Sequence, residues 1–176
     1  MNDKLGLIHI YTGDGKGKTT AAIGLAVRAV GNGKKVVFSQ FMKGQDSSER
    51  NVLLKLEGLK LFDMSHEFGF YFKMNEEEKN QLKAMHNEIL SKILYEIEAG
   101  NCDVLVMDEV VYAYEYEAMD MELFNKIFFE TKGVEIVITG RNPKKELMEK
   151  ADYISEIKAV RHPIDKGVYA RAGIEF

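Results

Sequence analysis

The sequence predicts an α/β fold, in which helices cover both faces of a mostly parallel sheet of about six strands, as a three-layer sandwich. Short apolar runs alternate with segments of helical periodicity along the 176 residues. Strands that alternate with helices form right-handed βαβ units, which produce a parallel sheet. The length is typical of one domain, so residues 1–176 are expected to form a single domain.

Each strand is predicted from a short apolar segment bounded by turn residues or by a helical pattern. These segments span residues 5–11, 35–41, 59–64, 103–109, 134–140 and 153–160.

Apolar residues that recur at helical spacing predict the helices, and glycines end several of them. The predicted helices span residues 18–30, 49–57, 76–99, 120–130 and 143–150, the last with Pro143 in its first turn. The longest carries an apolar stripe that we expect to face the core, formed by Leu82, Met85, Ile89, Ile93 and Ile97.

Composition favours a cytoplasmic protein that binds neither nucleic acid nor membranes. The formal net charge is −4, and no basic block offers non-specific attraction to a phosphate backbone. Cys102 is the only cysteine, so an intrachain disulfide and the Cys-rich metal motifs are excluded. The amino terminus lacks a signal-peptide pattern, and no apolar run is long enough to span a bilayer.

The segment TGDGKGKTT, residues 12–20, predicts a phosphate-binding loop and therefore a P-loop NTPase-like (RecA-like) fold. It lies between a strand and a helix, where glycines let backbone amides converge and the helix N-terminus favours an anion. Lys18 is expected to contact phosphate, and the Thr19 hydroxyl to ligate Mg²⁺. The strict Walker A pattern has glycine where this chain has Thr12, and a polar turn is the alternative interpretation.

Asp108 and Glu109 follow the apolar stretch VLVM at the end of a predicted strand. A strand that delivers a carboxylate beside a bound metal is the form of a Walker B motif. We therefore expect both carboxylates to ligate Mg²⁺ or its waters, although an acidic pair at a strand end is also common without a metal.

Several motifs together make the sequence similar to the P-loop corrinoid adenosyltransferases. They are the phosphate loop with its shifted first glycine, QFMKG, ERN, VLVMDE, ITGRN and the closing SEIKAVRHPIDKGVYARAGIEF. The resemblance covers nearly the whole chain. It implies transfer of the 5′-deoxyadenosyl group of ATP to the Co(I) of a reduced corrinoid, with release of triphosphate. It also implies Mg²⁺, a homodimer and a reduced flavoprotein as electron donor.

The resemblance assigns roles to individual residues. Lys18, Thr19 and Glu109 are the expected catalytic residues. The expected nucleotide site comprises Gly13, Asp14, Gly15, Lys16, Gly17, Lys18, Thr19 and Thr20, with the metal on Thr19, Asp108 and Glu109. Thr20 is expected at phosphate or at the metal, and Arg28 at the nucleotide or at the neighbouring subunit of a dimer. Arg161 is expected at phosphate or at the corrin amides. Phe70 and Phe72 are expected beneath the corrin, where apolar rings displace the axial cobalt ligand. The alternative is that these rings belong to the core.

Two other functions stay open from the sequence. One is a P-loop ATPase or kinase that cuts ATP at the γ-phosphate. The other is a non-catalytic, nucleotide-gated corrinoid binder. The product that carries the phosphates separates an adenosyltransferase from an ATPase, because the first releases triphosphate and the second releases ADP. His9, His66 and His86 are expected to be structural. His162, which precedes a proline, is expected either to meet phosphate or the corrin amides or to shape a turn.

Overall fold

A computed structural model describes residues 5–44, 47–66 and 68–174, and across these ranges the strands form one six-stranded sheet. The strand order is β3-β2-β4-β5-β1-β6, and every pairing is parallel. The α/β prediction is therefore confirmed, with a sheet that is entirely parallel. The strands are β1 Ile8–Thr12, β2 Val36–Gln40, β3 Leu59–Phe62, β4 Val104–Asp108, β5 Glu135–Thr139 and β6 Tyr153–Glu156.

The helices follow the predicted order with three differences. They are α1 Lys18–Gly31, α2 Arg50–Leu53, α3 Glu76–Glu98, α4 Val110–Glu115, α5 Met121–Asn125 and α6 Lys145–Lys150. A short π-helix at Lys126–Glu130 continues α5, and short 3₁₀-helices lie at Tyr71–Lys73 and Pro163–Lys166.

The differences have local causes. Helix α2 is much shorter than the predicted helix 49–57. Helix α4 was not predicted, because its six residues are too few to show a helical period and its valines and tyrosines are typical of strands. Helix α6 begins at Lys145 and excludes Pro143, because the backbone is still extended at Lys144.

The core consists of two apolar layers on opposite faces of the sheet. Strand β4 is buried along its whole length, and its side chains alternate between the layers. Leu105 and Met107 join the layer that includes α3, α4 and α5, whereas Val104 and Val106 pack with Ala22 and Ala26 of α1. The predicted stripe of α3 faces the core, with Leu82, Ile89 and Ile93 buried and Met85 and Ile97 partly buried.

The carboxyl ends of β1, β4 and β5 meet at one edge of the sheet, and the polar residues predicted from the sequence lie there. In an open parallel sheet this edge is where ligands bind. None of the described helices is both long and apolar enough to cross a membrane.

Candidate functional site

The loop between β1 and α1 is packed against the segment that follows β6. Gly13 has φ +102°, and a Cβ there would collide with the backbone of Ile157. A Cβ on Gly15 would lie 2.7 Å from the Ile157 carbonyl oxygen, to which the Gly15 N–H donates a hydrogen bond of 2.8 Å. The Asp14 carboxylate accepts from the Ala159 N–H at 3.1 Å. Gly13 and Gly15 are thus required by this close approach, and the Gly15 amide already has a protein acceptor.

Lys18 begins α1 and is buried in the loop. Its Nζ donates to the carbonyl oxygens of Gly13 and Gly15, each at 2.9 Å. Burial and the positive charge of Arg141 lower the pKa of Lys18. No side chain caps the start of α1 and its first turn holds no acidic residue, so the helix N-terminus presents its N–H groups to the same space. The charge and the N–H groups together favour an anion.

Asp108, at the end of β4, is fully buried and held by two threonines. Thr19 Oγ1 donates to Asp108 Oδ1 at 2.9 Å, and Thr139 Oγ1 donates to the same oxygen at 2.7 Å. Burial raises the pKa of Asp108, and the hydrogen bonds from Thr139 and Thr19 oppose that rise. The structure therefore joins α1, β4 and β5 through one carboxylate.

Glu109 takes the left-handed conformation, with φ 57°, where the chain leaves β4 and enters α4. A non-glycine residue rarely adopts this conformation, and such residues cluster at functional sites. The Glu109 N–H donates to Thr139 Oγ1 at 2.8 Å, which fixes the turn. Burial and the neighbouring Asp108 charge raise the pKa of Glu109.

A second charged group faces the loop from the end of β2. Lys43 Nζ lies 2.7 Å from Glu49 Oε1, and Gln40 Nε2 donates to the same oxygen at 3.0 Å. Burial by itself would raise the pKa of Glu49, but hydrogen bonds from Lys43 and Ser47 lower it to about 2. Among the residues that the structure describes, no hydrogen-bond partner is found for the buried Gln40 Oε1 atom.

These groups surround a cavity of about 590 Å³, a volume typical of small-molecule sites. It brings together most of the residues predicted from the sequence for nucleotide and metal. Its lining comprises Asp14, Gly15, Lys16, Gly17, Lys18, Thr19, Thr20, Ile23, Lys43, Ser48, Glu49, Glu109, Arg141, His162, Gly173 and Ile174. Asp108 lies behind Thr19, outside the lining.

Three of the predicted binding residues do not line this cavity: Gly13, whose carbonyl accepts from Lys18, Arg28 and Arg161. Arg28 is exposed and lies ten residues along α1 from Lys18, a rise of about 15 Å for an α-helix. Burial raises the pKa of Tyr11, and the positive charge of Arg28 opposes that rise. Arg161 is exposed and does not line the cavity, although the adjacent His162 does.

The predicted corrin-facing rings lie on the surface, apart from the cavity lining. Phe70 and Phe72 are 67% and 74% exposed, and their rings stack at a centroid distance of 5.5 Å. The interpretation of both rings as core is therefore wrong, although Phe68 does pack against the core. Between them, Tyr71 stacks on Tyr116 at 4.4 Å with an interplanar angle of 6°.

The histidines make contacts within the protein, and His162 also lines the cavity. His9 Nε2 lies 2.7 Å from Glu135 Oε1, and His66 makes an edge contact with Phe68. His162 Nδ1 accepts from the Ile164 N–H at 3.2 Å, which begins the 3₁₀ turn at Pro163–Lys166. His86 is fully buried.

Sequence reasoning missed several residues of the site. Thr139 is the polar end of an apolar strand, the signal that identified Asp108, yet it was not singled out. Ser48 lies in a short irregular segment, and Glu49, although part of the motif ERN, has no pattern that assigns it to the site. Gly173 and Ile174 reach the cavity from the tail motif, the last two residues of which, 175 and 176, lie outside the described residues.

No cluster of three or more His, Cys, Asp or Glu side chains suited to a metal is found among residues 5–44, 47–66 and 68–174. The oxygen donors that lie together are the Thr19 hydroxyl and the Asp108 and Glu109 carboxylates. Mg²⁺ is commonly held by one or two carboxylates together with substrate phosphates. This donor set fits Mg²⁺ if a nucleotide supplies the remaining ligands.

Comparison with known proteins gives matches along nearly the entire chain. The profile of the family described as ATP:corrinoid adenosyltransferase BtuR/CobO/CobP matches residues 4–176. A corrinoid adenosyltransferase of Escherichia coli K12 is 36% identical over 176 residues, which cover 99% of this chain and 87% of the relative. The corrinoid adenosyltransferase CobA of Salmonella typhimurium is 35% identical with the same coverage. One from Sinorhizobium sp. is 31% identical over 99% of this chain and 82% of its own length.

Proposed function

The chain belongs to the ATP:corrinoid adenosyltransferase family, and from that premise we propose how its residues divide the work of the reaction. Members of this family transfer the adenosyl group of ATP to a corrinoid in cobalamin biosynthesis or salvage, and this chain is such a transferase. The proposal rests on one observation. Lys18, Thr19 and Glu109 line a single cavity beside the phosphate loop.

The reaction asks the protein mainly for charge neutralisation and positioning. The electron pair of Co(I) forms the bond to C5′ of ATP, while the C5′–O bond breaks and its electron pair leaves with triphosphate. Because reduced cobalt is itself the nucleophile, no side chain has to remove a proton. The developing negative charge of triphosphate is stabilised by donors that are already in place.

Lys18 and Lys43 are the cations that we assign to the triphosphate. Lys18 exchanges its bonds to the Gly13 and Gly15 carbonyls for bonds to phosphate oxygens. Lys43, now paired with Glu49, lines the same cavity. The N–H groups at the start of α1 add neutral donors.

Thr19, Asp108 and Glu109 are the residues that would hold Mg²⁺. The ion would supply further neutralisation of the triphosphate. Asp108 is oriented by Thr19 and Thr139, and Glu109 is aimed at the cavity by its left-handed backbone. We assign neither carboxylate to the activation of water, because the reaction consumes none.

Phe70 and Phe72 are our assignment for the corrin side of the reaction. Two adjacent phenyl rings with most of their surface exposed form an apolar patch that fits beneath a flat macrocycle. In that position they would exclude the axial ligand of Co(II) and ease its reduction to Co(I).

The partners in this proposal follow from the family. We propose one domain that forms a cytoplasmic homodimer and receives electrons from a reduced flavoprotein. Exposed apolar residues along edge strand β6 and the tail support a self-association surface, among them Tyr153, Ile154, Val160 and Tyr169.

Anaerobic incubation with chemically reduced cobalamin and MgATP tests the reaction. The change in the visible spectrum reports the cobalt–carbon bond, and ion-exchange chromatography identifies the phosphate-containing product as triphosphate, ADP or orthophosphate. We expect one triphosphate for each adenosylated corrinoid, and Lys18→Ala to remove both signals. Lys145→Ala, which changes an exposed lysine outside the cavity, is the matched control. ADP or orthophosphate formed at full rate without a corrinoid would support the ATPase alternative instead.

A further inference from the structure

His86 is a buried imidazole whose two nitrogens bond to the backbone of two different loops. It lies on α3 and is fully buried. Its Nδ1 lies 2.7 Å from the Ala118 carbonyl oxygen, and its Nε2 lies 3.3 Å from the Met42 nitrogen. A carbonyl only accepts and an amide N–H only donates, so Nδ1 must carry the proton and Nε2 must be unprotonated. The contacts define one neutral tautomer.

The Met42 contact fixes the direction of the loop that carries Lys43. Strand β2 keeps its pairing as far as Phe41, whose N–H donates to the Asp108 carbonyl at 2.9 Å. Met42 then adopts φ 55°, a left-handed conformation that costs a non-glycine residue energy. Its N–H is bonded to His86, and the next residue, Lys43, enters the nucleotide cavity.

The Ala118 contact fixes the end of α4, which supports the aromatic segment. The Ala118 N–H donates to the Ala113 carbonyl at 2.9 Å, which closes the last turn of the helix. Tyr116, within this turn, stacks on Tyr71, the residue between Phe70 and Phe72. The Nδ1 atom of His86 thus bonds to the turn that carries Tyr116, the residue on which Tyr71 stacks between the proposed corrin-facing rings.

We infer that His86 is a positioning residue for both substrates: Nε2 fixes the loop that delivers Lys43 to the nucleotide, and Nδ1 fixes the support of the Phe70–Phe72 pair. His86 itself touches neither substrate. The inference rests on the proposed function of Lys43 and of the two phenylalanines, and it adds the residue that sets their backbone.

Two conservative variants separate the two nitrogens. In His86→Asn the side-chain amide matches the position of Nδ1, so the bond to Ala118 is kept and the bond to Met42 is lost. In His86→Gln the amide matches Nε2, so the bond to Met42 is kept and the bond to Ala118 is lost. A role confined to filling the core predicts the same effect from both variants.

Calorimetric titration with MgATP gives the first readout. We expect His86→Asn to weaken binding about tenfold, the scale of one charge-assisted hydrogen bond, and His86→Gln to leave it within about twofold. Adding Lys43→Ala to His86→Asn should cost nothing beyond Lys43→Ala alone, because both act through one ammonium. Equal losses in the two variants, or additive losses in the double variant, would overturn the inference.

The KM for the corrinoid gives the second readout, with the opposite order. His86→Gln should raise it more than His86→Asn does. Asn87→Ala is the matched control for the nucleotide side, because Asn87 Oδ1 accepts from the Asp120 N–H at 2.6 Å without contacting Met42. It should bind MgATP as wild type does, and a tenfold loss there would also refute the assignment.

A measurement on the unaltered protein covers the case in which a variant does not fold. Nitrogen chemical shifts of His86 should report a neutral ring protonated at Nδ1, and the Met42 amide should be protected from hydrogen exchange. A ring protonated at Nε2 would contradict the inference outright. If Lys43→Ala binds MgATP normally, the proposed role of Lys43 fails, whereas the tautomer and exchange results still test the backbone contacts of His86.

Discussion

The buried imidazole of His86 makes stability depend on pH in a predictable way. Burial lowers the pKa of His86 from 6.5 to about 4, and the bond to Ala118 offsets only part of this. Because the unfolded chain binds a proton at higher pH than the folded protein does, this group's contribution is fully present above pH 6.5. It is lost as pH falls from 6.5 towards 4.

The size of the effect follows from the two pKa values. At pH 5 the unfolded histidine is almost fully protonated and the folded one is not, a difference of about 1.5 logarithmic units. At about 1.4 kcal/mol for each unit, folding loses about 2 kcal/mol from this residue between pH 7.5 and pH 5. His86→Gln removes the titrating imidazole and leaves unchanged the carboxylates that titrate in the same pH range.

Urea unfolding of both proteins at several values between pH 7.5 and pH 5 isolates the contribution. The stability advantage of wild type over His86→Gln should shrink by about 2 kcal/mol across this range, because other titrations cancel in the difference. Parallel stability curves for the two proteins would refute the assignment of a depressed pKa to His86.

Three further changes test the site and its scaffold. Phe72→Ala should slow adenosylation that starts from Co(II) and spare the reaction of chemically reduced Co(I), so equal loss from both cobalt states in a stopped-flow comparison would contradict its assignment. Thr139→Val removes a donor to Asp108 and the acceptor of the Glu109 N–H, so we expect about 1–3 kcal/mol less stability in urea unfolding and a lower kcat; unchanged kcat would show that this threonine does not position the carboxylates. Gly15→Ala should lower the free energy of unfolding by about 1–3 kcal/mol, the usual cost of overpacking, because a Cβ there would lie 2.7 Å from the Ile157 oxygen; a stability equal to wild type would show that the tail does not press on the loop.

Sequence patterns predicted the parts of this protein that local rules determine. Apolar strands and the glycine loop identified the sheet edge where Lys18, Thr19 and Asp108 meet. Helix α4 was missed because a short buried helix and a buried strand use the same apolar residues, and only the left-handed turn at Glu109 separates them.

Contacts between distant segments could not be predicted from local patterns. The glycines of the phosphate loop are explained in part by Ile157, which approaches from the end of β6. The pairing of Thr139 with Asp108 depends on β4 and β5 being neighbours. His86 shows no chemical signal in the sequence, because its partners are backbone atoms of Met42 and Ala118.

The charges of the cavity are paired within the protein, and this suits a reaction whose leaving group is a polyanion. Lys18 is held by loop carbonyls and Lys43 by Glu49, so neither cation has to be buried without a partner. A triphosphate can exchange with these weaker or competing acceptors with little movement of the backbone, because both ammonium groups already border the space it would fill. In the proposed reaction, the triphosphate gains its last negative charge only as the C5′–O bond breaks. The same donors would then bind it more strongly than they bind ATP. In that reaction, this arrangement of charges would stabilise the transition state more than the bound ATP, which is the condition for catalysis by positioned charges.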